Sequence, residues 1–323
     1  MSRRLRPSAY LIAAGLLATL ASPARASTIY ITYSAPGLTS PTFYGSGGIC
    51  SNATICDWGL EDFTAWTTPA SAPFPYTSDF LDGGSANAGT AQAPVFTGSY
   101  TLGTDSNGTL TTQGPGGELQ QEQQNQYGGT NGGKYPELFG PGAVGGGASP
   151  ANYVLTLSHS SAVPAIDYFG VWVSALDQYN DLKIYSGSTL IAEFDSAYLQ
   201  SILGSSCPGG AYCGNPTSQD QGKDSSENFV YINVYDIGGD ITSVDFYNSG
   251  STGFESSNDA VGYINPATIN GIVVTSTASV PEPEGLAVFG CGLAGLLLAR
   301  AMWPTALRRL GATRPPHPGL RAC

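Results

Sequence analysis

Short apolar and β-branched runs recur through the second half of the chain. They cover residues 153–157, 168–176, 182–185, 189–194, 229–235, 241–247 and 269–275. Most runs are separated by turns rich in Gly, Asn or Asp, and a repeat of roughly ten to twelve residues is typical of an antiparallel β-sandwich. The segment 185–189 fits a hairpin turn. The pattern therefore predicts an all-β fold.

The first half is less regular. Residues 28–33 alternate polar with apolar side chains and predict one strand, and 95–102 and 108–112 are short candidates. The stretch from about 115 to 150 is rich in Gly and Gln without apolar periodicity, which predicts a surface excursion or a disordered loop. A second long loop is expected at 198–226. These elements together predict one domain over residues 27–279.

Charge divides the chain into three parts. Every arginine lies in the first 25 or the last 24 positions, and residues 27–279 carry three lysines against 22 carboxylates, a formal charge of −19. Binding to nucleic-acid phosphates needs clustered Lys and Arg, so this composition excludes nucleic acid as a partner. The 43 glycines favour tight turns between strands over helices.

The N-terminal segment has the three regions of a secretory signal peptide. A basic start at residues 2–6 precedes the apolar run 9–21, and Ala24 and Ala26 form the small-residue site before the predicted cleavage. This pattern predicts removal of residues 1–26 by signal peptidase. The alternative is an uncleaved anchor, for which the run is short, since a span needs about 20 residues.

The C-terminal segment combines a rigid motif, an apolar run and a basic end. Residues 280–284 begin with Val280, Pro281, Glu282 and Pro283, and the prolines favour an exposed, extended connection. Residues 285–303 predict a single membrane helix. The basic residues Arg300, Arg308 and Arg309 place the tail 304–323 in the cytoplasm by the positive-inside rule.

This combination resembles the PEP-CTERM sorting signal, with Pro281, Glu282 and Pro283 matching its motif. The resemblance implies recognition by exosortase, a membrane enzyme of Gram-negative bacteria that make extracellular polysaccharide. The chain would be anchored in the inner membrane before processing, and would then reach the cell surface or the extracellular matrix. An ordinary tail anchor is the alternative, although the helix is short for permanent retention.

Four cysteines of the predicted exported domain form two equally spaced pairs. Cys50 and Cys56 are separated by five residues, as are Cys207 and Cys213. In an oxidising compartment this spacing predicts two local disulfides. Cross-pairing between the two stretches stays open, and a zinc site is disfavoured because zinc ligands usually pair at shorter spacing.

Residues 152–264 also resemble one group of PEP-CTERM surface proteins. The resemblance rests on the strand 168–172, the turn 176–180 and the late segments 244–247 and 253–259. It implies a jelly-roll-like β-sandwich and supplies no catalytic residues.

Two oxygen-rich turns and several aromatic residues are candidate ligand sites. The candidates for calcium or sugar binding are Trp172, Asp177, Tyr179, Asn180, Asp181, Glu255 and Asp259. Carboxylate and amide oxygens suit calcium, and aromatic rings suit sugars. The alternative is that the Asx side chains cap tight turns and that Trp172 belongs to the core.

The sequence favours a non-enzymatic surface or matrix protein associated with exopolysaccharide or a biofilm. A calcium-supported carbohydrate-binding module is the first alternative. An exported glycan hydrolase is the second, because such chemistry needs only two spaced carboxyl groups.

Overall fold

Strands dominate the structure, a computed structural model that describes residues 28–41, 57–68, 74–82, 94–103, 119–130, 132–142, 150–204, 207–263 and 274–276. In these residues the chain forms fourteen β-strands and one α-helix. The strands are β1 (Thr28–Tyr33), β2 (Asp57–Glu61), β3 (Tyr76–Ser78), β4 (Phe96–Leu102), β5 (Leu119–Gln123), β6 (Lys134–Leu138), β7 (Ala151–His159), β8 (Tyr168–Leu176), β9 (Asn180–Ser186), β10 (Thr189–Asp195), β11 (Asn228–Ile237), β12 (Ser243–Asn248), β13 (Glu255–Tyr263) and β14 (Val274–Ser276), and the helix is α1 (Ser196–Leu203).

The strands form two antiparallel sheets. The first has eight strands in the order β14-β1-β11-β8-β13-β6-β5, with β2 also paired to β13. The second has six strands in the order β10-β9-β12-β7-β4-β3. From β7 to β13 the chain passes repeatedly between the sheets, so neighbours within a sheet are distant in sequence. The predicted all-β sandwich is therefore confirmed at the level of two packed antiparallel sheets.

The core lies between the sheets and follows the alternation of side chains along each strand. In β8, Phe169, Val171 and Val173 join the main core cluster, which also contains Leu155 of β7 and Phe246 of β12. Full burial of one such side chain contributes about 1.5–3 kcal/mol. These strands thus hold the two sheets together.

The outer face of the first sheet is also buried. Tyr168 and Trp172 of β8 are fully buried on that face, beside Tyr235 and Phe229 of β11 respectively. Strand β12 of the second sheet instead alternates buried and half-buried residues. The two sheets therefore differ in how much of their outer face meets solvent.

The Gly- and Gln-rich stretch from about 115 to 150 forms two strands where a surface excursion or disordered loop was predicted. It contains β5 and β6, which pair with each other, and β6 also contacts β13 at Glu255. Leu119, Tyr135 and Leu138 are fully buried. Three well-spaced apolar side chains suffice to dock this hairpin, although the sequence shows no regular alternation.

A helix begins where a loop was expected. The side chain of Asp195 accepts a hydrogen bond from the backbone N–H of Tyr198 at 2.6 Å, which caps the helix. Leu199 packs into the main core, and Gly204 ends the helix in the left-handed conformation with φ 61°.

The predicted leader, the sorting motif, the 285–303 helix and the basic tail all lie outside the described residues. None of the helices in the described part of the chain is long and apolar enough to span a membrane.

Candidate functional site

One of the two predicted disulfides lies in the described part of the chain. Cys207 and Cys213 are bonded, with 5.5 Å between their Cα atoms, which confirms this pair. Cys50 and Cys56 lie outside the described residues. Cys213 pairs with Asn228 at the start of β11, so the disulfide fixes the loop before that strand.

The loop after the disulfide contacts the β5–β6 hairpin. The side-chain amide of Asn215 donates to the backbone carbonyls of Asn125 and Gln126 at 3.3 and 3.0 Å. This loop carries Glu227, whose charge acts on Glu255 of β13, and Asp224, whose charge acts on Asp177 in the β8–β9 turn. Long-range contacts therefore assemble a group of carboxyl groups from four parts of the chain.

Glu137 and Glu255 form the centre of this acidic group. They are directly opposite each other on β6 and β13, and their side chains share a hydrogen bond. Both are buried, at 8% and 4% exposure. Gly253 makes room for them, because a Cβ at that position would lie 2.2 Å from Glu255 Oε1 and 2.7 Å from Glu137 Oε1.

Burial controls the charge of these groups. Removal from water raises the pKa of Glu137 from 4.5 to about 7, although its hydrogen bond to Glu255 opposes the shift. Burial raises the pKa of Glu255 well above its usual range, and the charge of Glu137 raises it further. Burial, followed by the hydrogen bond to Asp224, raises the pKa of Glu227 to about 8.

The lysines of the domain make their contacts elsewhere. Lys134 donates to the Trp66 carbonyl at 2.8 Å, Lys223 pairs with Asp220 at 2.9 Å, and Lys183 pairs with Glu193 at 3.4 Å. A shared proton is thus the simplest way to neutralise the Glu137–Glu255 pair. Glycosidase carboxyl pairs stand about 5 Å apart or more, so two directly hydrogen-bonded carboxyl groups do not have that arrangement.

The other predicted ligand residues lie in different surroundings. Trp172 is fully buried against Phe229, so it packs inside the protein and offers no surface to a sugar. Tyr179 is 41% exposed. Asn180 is buried, whereas Asp181 lies near the Lys183 charge on the second sheet.

Asp259 is separate from the Glu137–Glu255 pair. It is fully buried and accepts a hydrogen bond from Tyr100 Oη at 2.7 Å. The structure therefore brings together Asp177 and Glu255 among the predicted ligands, and leaves Asp181 and Asp259 apart from them.

Three members of the acidic group, Glu137, Asp224 and Glu227, were not predicted from the sequence. Glu137 and Asp224 belong to segments interpreted as loops. Glu227 lies between the loop predicted at 198–226 and the strand predicted at 229–235, and no local motif surrounds any of the three. Their proximity to Glu255 arises from the pairing of β6 with β13 and from the disulfide-bonded loop, which the sequence does not reveal.

Comparisons with known proteins add no assignment to this site. No protein-family model matches the chain, and no curated protein is significantly similar to it.

Proposed function

We propose that the chain is a non-enzymatic exported protein of the cell surface or extracellular matrix, sorted by exosortase through residues 280–323. The observation that carries this proposal is the combined pattern of Pro281-Glu282-Pro283, an apolar run and a basic end. The Cys207–Cys213 disulfide supports export, because disulfides persist mainly in oxidising compartments. Association with exopolysaccharide or a biofilm is part of the same proposal.

The finer fold assignment is also proposed. We infer a jelly-roll-like arrangement, supported by two antiparallel sheets between which the chain passes repeatedly. Such a sandwich presents turns at its ends, and turns tolerate the polar residues that contact a surrounding matrix.

The sorting motif provides the direct test. Replacing Pro281, Glu282 and Pro283 by alanine in the native host should retain the protein in the inner-membrane fraction. Glu284→Gln is the matched control and should leave surface delivery unchanged. Equal surface delivery of the alanine variant and the unsubstituted protein would contradict sorting through this motif.

A carbohydrate-binding module is the second candidate, and one exposed aromatic residue favours it. The ring of Tyr179 lies close to Gly250, where an added Cβ would be 2.1 Å from Tyr179 Cδ2. The glycine thus leaves room for the ring, which is 41% exposed. Exposed aromatic faces stack on the apolar faces of sugars.

A glycan array with and without chelator tests this second candidate. Tyr179→Ala should abolish binding, and Tyr127→Ala should preserve it, because Tyr127 is a similarly exposed tyrosine at 43%. Absence of binding under both conditions would exclude the carbohydrate-binding module. Hydrolysis of host exopolysaccharide would contradict both non-enzymatic proposals.

A further inference from the structure

The outer face of the second sheet meets solvent, whereas the outer face of the first sheet is buried. Along β12 the outward residues Ser243, Asp245 and Tyr247 are half-buried, and the residues between them are fully buried. Strand β9 alternates in the same way. On β7 and β4 the outward positions are mostly Ser and Thr. This face is therefore a broad polar surface formed by neighbouring strands.

The strand register places charged residues of three strands side by side on this face. Asp245 of β12 is opposite Lys183 of β9, and Tyr247 is opposite Asp181. Lys183 is in turn opposite Glu193 of β10. Directly opposed residues of antiparallel strands project to the same side of a sheet, so all five side chains share the outer face.

Carboxylates outnumber lysines on this face. Lys183 Nζ lies 3.4 Å from Glu193 Oε1, and the charges of Asp245 and Asp181 also act on it. Asp195 adds a fourth carboxylate opposite Asp181. One lysine against four carboxylates gives the outward residues of these strands a formal charge of 1 − 4 = −3. The face therefore favours a cationic partner and disfavours an anionic one.

Two tyrosine rings accompany these charges. Tyr185 and Tyr247 are both half-buried, and Tyr185 is four residues along β9 from Asp181, the partner of Tyr247. At roughly 3.4 Å per residue, the two tyrosines are about 13 Å apart along the strands. Lys183 Nζ lies 4.5 Å from the centroid of the Tyr247 ring, so this ring holds an ammonium group on its face. A chain of a few sugar units is long enough to contact both rings.

The carboxylate between the two rings has a fixed orientation. The side-chain amide of Asn152 on β7 donates to Asp245 Oδ1 at 2.9 Å. Asn152 is only 8% exposed, so its packing holds the Asp245 carboxylate in place. Such a carboxylate is ready to accept a hydrogen bond from a ligand without losing side-chain freedom.

We propose that the outer face of the second sheet binds a polysaccharide that carries protonated amino groups. The rings of Tyr185 and Tyr247 pack against the apolar faces of its sugars. The carboxylates of Asp181, Glu193 and Asp245 accept charge-assisted hydrogen bonds from its ammonium groups. This inference rests on the proposed association with exopolysaccharide, and it adds the chemical class of that polymer and the surface that contacts it.

Calorimetric titration of the full-length protein with a glucosamine hexasaccharide at pH 6 tests this surface. We expect binding at low salt that weakens as NaCl is added, because salt screens the attraction between charges. The N-acetylglucosamine hexasaccharide has the same backbone without ammonium groups. It should bind more weakly by a factor on the order of ten, because it cannot form the charge-assisted hydrogen bonds.

Two substitutions on the face test the contacts. Asp181→Asn and Tyr185→Ala should each lower the affinity for the glucosamine hexasaccharide by a factor on the order of ten, through loss of a charged acceptor and of a stacking surface respectively. Asp57→Asn, on β2 of the first sheet, is the charge-matched control, and Tyr127→Ala, between β5 and β6, is the aromatic control. Both controls should bind as the unsubstituted protein does. Urea unfolding verifies that each variant is folded.

Three results would overturn the proposal. The first is no heat of binding at millimolar glucosamine hexasaccharide, and the second is equal affinity for the two hexasaccharides. The third is an equal loss in Asp57→Asn and Asp181→Asn, which would indicate attraction to the overall negative charge. Loss of binding in Tyr179→Ala alone would place the contact at the β8–β9 turn and would also contradict the sheet-face site. None of these outcomes bears on sorting through residues 280–323, which the motif substitutions test separately.

Discussion

Replacing Glu137 by glutamine should stabilise the protein at pH 8 and have little effect at pH 4. The substitution keeps the size of the side chain and its capacity to hydrogen-bond to Glu255. It removes a carboxyl group that is 8% exposed and that must ionise beside another buried acid as the pH rises. The effect on stability should therefore depend on pH.

The sign follows from the protons bound in each state. The pKa of Glu137 is raised to about 7 in the folded protein, so between pH 4.5 and 7 the folded state binds more protons than the unfolded state. Stability then falls as the pH rises through this window. Below this pH window, Glu137 is protonated in both the folded and the unfolded state, so it makes no pH-dependent contribution to stability.

The size of the effect follows from the same pKa shift of Glu137. A change from 4.5 to about 7 corresponds to about 3 kcal/mol, at roughly 1.4 kcal/mol for each pKa unit. The Glu137→Gln protein should gain up to this amount over the unsubstituted protein between pH 4 and pH 8.

Urea unfolding followed by tryptophan fluorescence at pH 4, 6 and 8 measures this difference. Glu193→Gln serves as the control, because its half-exposed carboxylate forms a surface ion pair with Lys183 and its loss should change stability by less than about 1 kcal/mol. Parallel stability profiles for Glu137→Gln and the unsubstituted protein would contradict an ionisation cost at Glu137, as would a variant that loses stability at pH 8.

Four further variants test the packing and the disulfide. Trp172→Ala should cost about 3–5 kcal/mol of unfolding free energy because the ring is fully buried, and Tyr179→Ala should cost far less; similar losses in urea unfolding would contradict their placement. Gly170→Ala should cost about 1–3 kcal/mol, since its Cβ would lie 2.2 and 2.6 Å from two tyrosine hydroxyl oxygens; an unchanged melting temperature would be evidence against this contact. Replacing both Cys207 and Cys213 by serine should lower the free energy of unfolding by about 2 kcal/mol relative to the oxidised unsubstituted protein. An unchanged free energy of unfolding would contradict a stabilising effect of the disulfide.

Strands with regular apolar spacing were predictable from the sequence. The prediction for 168–176 matches β8, and the prediction for 28–33 matches β1. In these segments the side-chain alternation or the apolar content is strong enough to define a strand without knowledge of its partners. The hairpin turn at 185–189 was also predictable, and Gly187 in it has a φ of 58°.

The hairpin of β5 and β6 could not be predicted in this way. Its polar residues are buried by neighbouring segments, and Gln121 is only 7% exposed. The approach of Glu137 to Glu255, and of Glu61 to Asp82, was hidden for the same reason. Glu61 meets Asp82 through a bridge between Leu60 and Leu81, and no local spacing encodes that contact.

Mass spectrometry of the mature protein from its native host tests the central proposal most directly. We expect an N-terminus at Ser27 and a C-terminus near Pro281-Glu282-Pro283, with the basic tail removed. An intact C-terminus at Cys323 in the surface fraction would contradict sorting by exosortase.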